Sequence, residues 1–299
     1  MVFKVVVAGV VAAVAVTACS SSAGGGSGSV SLVASTNVWG DVAQQVAGKL
    51  AGHKVAITSI ISDPAADPHS YEADTRNQLE ISRAAVIVEN GGGYDDFVDT
   101  MRQSAGSKAT VLNAVAISGK QPVDGDLNEH VWYDFPTVAK VTDQIADALA
   151  KADPADAATF HANAAAFDRQ LAGLEAAEAE VKATYAGTGV AITEPVPLYL
   201  LQACGLVDRT PEEFSHAVEE GNDVAPRVLQ QTLALFSGHQ VKLLAYNEQT
   251  SGAETQRVQN AAKANHIPVV GVTETLPAGQ TFLTWMSGNL AAIKAALHG

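Results

Sequence analysis

From about residue 30 onward, short β-branched apolar runs alternate with segments whose apolar residues return every third or fourth position. The strand-like runs of the first half are residues 30–34, 55–61, 85–89 and 110–112, and residues 38–50, 76–83, 94–103 and 135–150 read as helices. This alternation predicts an α/β unit built on a mainly parallel sheet. A different pattern follows. Residues 153–184 are rich in Ala, Glu, Lys and Leu, and Phe160, Phe167, Leu171, Leu174 and Val181 fall at spacings of three, four and seven. The Asp153-Pro154 pair suits a helix start. At 1.5 Å per residue, roughly 30 residues would reach about 45 Å, the length of a two-lobed body. The alternation then resumes, with strand-like residues 190–193, 241–246 and 267–272 and helix-like residues 197–204, 225–236, 253–265 and 280–297. The expected fold class is α/β: two lobes, each with a mainly parallel sheet and flanking helices, joined by one long rigid helix. The expected boundaries are 30–152 for the N-terminal lobe, 153–185 for the linking helix and 186–299 for the C-terminal lobe. Such an arrangement leaves a cleft between lobes, a usual place for a small ligand.

The pattern before residue 30 is of another kind. Lys4 precedes a small-residue apolar run at 5–16, too short to span a bilayer, which needs roughly 20 residues, and suited to a signal peptide over residues 1–18. The run ends in Val16-Thr17-Ala18-Cys19, which resembles a bacterial lipobox. That resemblance implies lipidation of Cys19, an anchor in the cell membrane and a location outside the cytoplasm. The alternative is a plain signal peptide with Cys19 incidental. Residues 20–29 contain only Ser, Gly and one Ala, so residues 19–29 read as a lipidated cysteine and flexible tether. The second cysteine, Cys204, lies in an apolar helical context and is expected as a buried core residue without a disulfide. The net charge of −14, with no Lys/Arg cluster, argues against nucleic acid as a partner.

Against this pattern four polar residues stand out, each beyond a strand-like run: His69, His130, Glu194 and Glu274. In open α/β sheets ligands bind beyond the carboxyl ends of strands, so all four are expected on one edge, two from each lobe. Two imidazoles and two carboxylates suit a divalent transition ion and neutralise its charge. Pro64, Pro68, Pro136, Pro195 and Pro277 restrict the loops that carry them. Asp67, Glu72 and Asp134 are candidates to accept the other ring N–H of a ligating histidine. Glu248 competes with Glu274 for the fourth position, and Asn247 and Gln249 are further candidates to line the cleft. The remaining histidines (His53, His161, His216, His239, His266 and His298) are read as surface or core residues, and Trp39, Trp132 and Trp285 as packing near the cleft.

The stretches around these residues are Ala34-Ser-Thr-Asn-Val-Trp-Gly-Asp41, Asp67-Pro-His-Ser-Tyr-Glu72, His130-Val-Trp-Tyr-Asp134, Thr193-Glu-Pro195 and Thr273-Glu-Thr-Leu-Pro277 with Trp285-Met286. Together they resemble the solute-binding lipoproteins of metal-uptake ABC transporters, the manganese/zinc group with a rigid helical backbone. The resemblance implies metal held by His69, His130, Glu194 and Glu274, with Mn2+ or Zn2+ as transported ligand. It also implies an ABC permease as partner and a monomer. Family members usually have Asp at the fourth position, so Glu274 is the longer homologue. Zinc-uptake members often carry a His-rich loop before the second ligand, and residues 114–129 contain no histidine, a lean toward manganese. No His-Glu-x-x-His, Gly-x-Ser-x-Gly or nucleotide loop is present, so no enzyme is expected. The alternatives are a metal-dependent cell-envelope hydrolase and an adhesin-type structural lipoprotein.

Overall fold

Each half of the chain builds a four-stranded, all-parallel sheet, and the two sheets share one strand order. The computed structural model of the protein describes residues 1, 29–66, 68, 71, 74–122 and 127–298. The expected signal peptide, Cys19, and the candidate residues Asp67, His69 and Glu72 lie outside the described residues. The first sheet contains β1 (Val30–Thr36), β2 (Val55–Ile61), β3 (Val86–Glu89) and β4 (Thr110–Asn113) in the order β2-β1-β3-β4. The second contains β5 (Gly189–Ile192), β6 (Val207–Asp208), β7 (Leu244–Asn247) and β8 (Val269–Val272) in the order β6-β5-β7-β8. In each, the order reverses beside the first strand, between β1 and β3 and between β5 and β7. Every residue of β3 and of β7 is buried, as parallel strands covered on both faces require.

The helices are α1 (Asn37–Ala47), α2 (Thr75–Arg83), α3 (Asp96–Ala105), α4 (Ala114–Ser118), α5 (Phe135–Ala152), α6 (Ala157–Tyr185), α7 (Leu198–Ala203), α8 (Glu212–Glu219), α9 (Pro226–Ser237), α10 (Ala253–Ala264) and α11 (Phe282–His298). The helix expected over 38–50 stops early. Gly48 takes a positive φ of 55° and the chain tightens into a 3-10 turn over Gly48–Leu50. The positive φ favours glycine there, and a Cβ would also have to displace the end of the Asn163 side chain, 2.5 Å away. Three elements had no counterpart in the sequence reading: α4, β6 and α8. The first two are five and two residues long, too short to show a period.

The long helix forms as expected, 29 residues and about 43 Å in length. Its buried face is Phe160, Ala164, Phe167, Leu171, Leu174, Glu178 and Val181, in alternating steps of four and three. That face packs on α5, α1, α7 and α11, elements of both lobes. A single apolar core therefore runs from the inner face of the first sheet (Leu32, Val86) through Phe167 and Leu171 to Val190, Ile192 and Trp285. Polar contacts close the seam. The Asn37 side chain pairs reciprocally with the backbone of Leu276, both bonds 2.9 Å. Asp41 Oδ2 accepts from Phe282 N at 2.8 Å, at the start of α11, and Tyr133 donates to Thr273 O at 2.8 Å. The lobes are thus joined along the spine, and the space between them is confined to the carboxyl ends of the strands.

Candidate metal centre

Three of the four expected ligands converge at those strand ends. Glu194 lies two residues beyond β5, held between Thr193, whose hydroxyl accepts from Asn247 N at 2.9 Å, and Pro195. Glu274 lies two residues beyond β8, where Gln249 Oε1 accepts from its backbone N at 2.5 Å and from Thr275 N at 3.3 Å. His130 comes from the other lobe, in the connection between α4 and α5, just before the 3-10 turn Val131–Tyr133. Its Nε2 is 3.9 Å from Glu274 Oε2. His130 and Glu274 are fully buried and Glu194 nearly so.

Asn247, the last residue of β7, joins the two carboxylates. Its Nδ2 donates to Glu194 Oε2 at 3.0 Å and to Glu274 Oε1 at 2.8 Å. The other oxygen of Glu194, Oε1, is buried with no hydrogen-bond partner among the described residues. A buried carboxylate oxygen in that state is costly unless a cation or proton completes it. Aromatic rings wall the imidazole: Trp132 stands 5.1 Å and Tyr94 5.9 Å from it, centroid to centroid. Burial and, next to it, the Glu274 charge raise the Tyr94 hydroxyl well above its ordinary value.

Electrostatics record the crowding. Burial pushes Glu194 up to about 7; the Asn247 amide opposes that shift and the Glu274 charge adds to it. Burial alone would depress His130, but the carboxylates of Glu274, Glu129 and Glu219 outweigh it and raise the imidazole. Protons and a divalent cation compete for the same donors. One imidazole nitrogen and carboxylate oxygens in a dry, aromatic-walled site fit a divalent transition ion.

The chain that leads toward His69 is tethered beside this point. Gln249 Nε2 donates to Pro64 O at 3.2 Å and Ala66 O at 2.7 Å, and Thr275 Oγ1 donates to Pro64 O at 2.9 Å. These residues are thus fixed to the neighbours of Glu274. One expectation needs correction, and the two acidic candidates for the fourth position are placed apart. Asp134 does not serve His130: its carboxylate caps α5 through Thr137 N at 3.1 Å and pairs with Lys120 at 3.0 Å. Glu248 is exposed, its carboxylate lying over Gly271 on the adjacent strand, whereas Glu274 turns inward. Cys204 is buried and free, as expected. Trp39, Trp132 and Trp285 are buried and packed.

The structure also places groups the sequence reading did not single out. Glu219, the last residue of α8, has Oε1 3.8 Å from His130 Nδ1 and Oε2 4.0 Å from His216 Nδ1. Glu129, His130 and Glu219 bring potential ligand atoms within 4.8 Å of one another. Asn128 accepts at Oδ1, 2.7 Å from His130 Nδ1. Both Asn128 and Glu219 border a cavity of about 360 Å³, lined also by Pro195, Tyr199, Ser215 and His216. The signal for α8 was present in Pro211-Glu212-Glu213, a proline and two acids at a helix start. It places His216 and Glu219 three apart on one face.

Known proteins share this architecture. The periplasmic zinc-binding protein TroA of Treponema pallidum superposes with a TM-score of 0.76 at 17% identity, over 90% of this chain and 99% of that one. At that identity the likeness speaks for the fold. The manganese-binding lipoprotein MntA of Halalkalibacterium halodurans is 28% identical over 145 residues, 48% of this chain and 47% of the relative. The iron-binding protein YfeA of Yersinia pestis is 28% identical over 143 residues, 46% of this chain and 43% of the relative. The matched region thus spans about half the length of these curated relatives. The model of the periplasmic component A of the zinc-uptake complex matches residues 32–296, nearly all of the folded chain, and the protein belongs to that ZnuA family.

Proposed function

We propose that the protein is an extracytoplasmic solute-binding lipoprotein that captures a divalent transition metal between its lobes and delivers it to an ABC permease. The ligands are His69, His130, Glu194 and Glu274. The observation that carries this reading is the convergence of His130, Glu194 and Glu274, residues from two lobes, on one buried point with Asn247 between the carboxylates. Cys19 is the lipidated residue, residues 1–18 the signal peptide and 19–29 the tether. The lobes comprise 30–152 and 186–299 with the helix 153–185 between them, and the protein works as a monomer. Among the described residues no helix is long and apolar enough to cross a membrane.

Cargo is Mn2+ or Zn2+. Relatives are named for manganese, iron and zinc, and the carboxylate-rich donor set with a histidine-free stretch at 114–129 favours manganese. The site carries its ligand without catalysis, since its donors close around the ion rather than leaving a base beside a reacting position.

Thermal melting of the full chain with Mn2+, with Zn2+ and with chelator tests this. Metal that binds only the folded state stabilises it by about 2.7 kcal/mol at a hundredfold excess over Kd. For a chain of this size that raises Tm by about 5–10 °C. His130→Ala and Glu274→Ala should abolish the shift. An identical transition in all three conditions would sink the proposal.

A further inference from the structure

A histidine can present either ring nitrogen to a metal, and which one is available depends on the hydrogen bond made by the other. At His130 that bond goes to Asn128, and the orientation of the Asn128 amide is fixed by its own contacts. Asn128 Nδ2 donates to the carbonyl of Pro195 at 3.1 Å, a group that can only accept. Its Oδ1 must then be the atom facing His130, where it lies 2.7 Å from Nδ1 and accepts from His130 N at 3.1 Å. An amide oxygen is an acceptor, so Nδ1 carries the hydrogen. In the neutral ring the lone pair is then left on Nε2, the nitrogen that faces Glu274.

The same residue crosses between the lobes. Pro195 follows Glu194 directly, so one amide grips both the ring of His130 and the backbone beside Glu194. Tyr199 OH, from α7, donates to Asn128 O at 2.7 Å and completes the bridge. Behind the ring, Glu219 places a carboxylate oxygen 3.8 Å from Nδ1, where negative charge favours a proton on that nitrogen.

Resting on the proposed metal site, we infer that Asn128 is a positioning residue of that site: it holds His130 in the tautomer whose Nε2 faces the carboxylates and locks that histidine to the Glu194 loop. Asn128 does not touch the ion. Its effect passes through the imidazole, as that of groups hydrogen bonded to metal-ligating histidines generally does.

The test uses the full chain and four variants: Asn128→Ala, Asn128→Asp, Tyr199→Phe and His130→Ala. Long-range 1H–15N spectra of the metal-free protein, recorded at a pH high enough that the His130 ring is neutral and with its signals assigned by their loss in His130→Ala, report the tautomer without reference to metal. The wild type and Asn128→Asp should show hydrogen on Nδ1, while Asn128→Ala should populate the Nε2–H form. Mn2+ affinity, measured by competition with a chelating indicator, should fall about 10–100-fold in Asn128→Ala. Asn128→Asp, which keeps the acceptor, should recover most of that loss, and Tyr199→Phe, which removes one strut of the bridge, should fall between wild type and Asn128→Ala. X-ray absorption of the metal-loaded proteins should show the same donor atoms around the ion in wild type and Asn128→Ala. The inference is overturned if Asn128→Ala keeps the Nδ1–H tautomer, or keeps wild-type affinity while His130→Ala loses it. It is also overturned if the ion loses an oxygen donor in Asn128→Ala. If wild type and His130→Ala bind metal equally poorly, the proposed site fails, and the tautomer spectra still decide the role of Asn128.

Discussion

Two of the regions in which this molecule buries carboxylates treat them differently. At the metal centre Glu194 and Glu274 share the amide of Asn247, lie beside an imidazole, and are gathered at strand ends by separate elements. Toward the C-terminal end of α6, Glu178 lies in a stripe otherwise made of Phe160, Ala164, Phe167, Leu171, Leu174 and Val181, and its Oε1 is buried with no hydrogen-bond partner among the described residues. Burial pushes both kinds of group up, Glu194 to about 7 and Glu178 to about 8. The difference is what can relieve them. The centre is built so that a cation can take the place of the proton, whereas Glu178 is relieved by protonation alone. A buried charge with convergent partners reads as a binding site, and one alone in an apolar stripe reads as a cost to stability.

The largest expected effect separates the two through pH. Lowering pH from 7.5 to 5.5 should weaken metal affinity on the order of a hundredfold, since each donor that must lose a proton costs up to about tenfold per pH unit below its pKa. Glu194 titrates against the metal in this range, and His130, raised by its carboxylate neighbours, must also give up a proton to the metal. Stability of the metal-free protein should move the other way. The folded-state value of Glu194 lies above its ordinary 4.5, so its contribution to stability is fully present below about 4.5 and is lost as pH rises through about 7. Melting curves with and without Mn2+ should therefore converge on acidification. A metal-induced shift in Tm that is equal at pH 5.5 and 7.5 would break the comparison.

A smaller effect is expected from removing the group that makes the centre different. Asn247→Ala deletes the donor shared by both carboxylates. Leaving buried acceptors unsatisfied should cost the metal-free fold about 1–3 kcal/mol, and metal affinity should drop about 10–100-fold because the carboxylates lose their orientation. The metal-induced shift in Tm should shrink accordingly. Wild-type affinity in Asn247→Ala would mean that the carboxylates are held by their backbone alone.

How far this difference could be read from the chain depends on the range of the forces involved. The long helix and both sheets follow from local periodicity, and the strand-end rule placed His130, Glu194 and Glu274 on one edge before any contact was known. The choice between Glu248 and Glu274 was beyond the sequence, because both follow a strand and only tertiary packing turns one outward and the other in. Asn128 was passed over for a related reason. Its meaning lies in an amide orientation fixed by Pro195, 67 residues away. Glu178 was hidden by its surroundings: with Glu175 and Glu180 beside it in Leu-Glu-Ala-Ala-Glu-Ala-Glu it looks like part of a solvated face, yet it falls on the buried side of the helix. Asp134 carried a plausible pattern toward His130, yet the N-terminus of α5 lies closer and takes its carboxylate.

The smallest expected effect is at Glu178. The neighbouring charges of Glu175 and Asp134 add to burial in raising it. Since its folded-state value of about 8 exceeds the ordinary 4.5, protonated Glu178 accompanies the stable fold, and stability is lost as pH rises from about 4.5 through about 8. Glu178→Gln imitates the protonated form at every pH. The variant should melt about 2–4 °C above wild type at pH 8, roughly the effect of 1 kcal/mol in a chain of this size, and the two should coincide near pH 5. Metal affinity should not change, because Glu178 is not among the groups at the centre. A lower Tm for Glu178→Gln at pH 8 would show that the ionised carboxylate has a stabilising partner, and the contrast between spine and centre would then disappear. A loss of metal affinity in the same variant would place Glu178 in the binding machinery, coupled to the ion through the helix that joins the lobes.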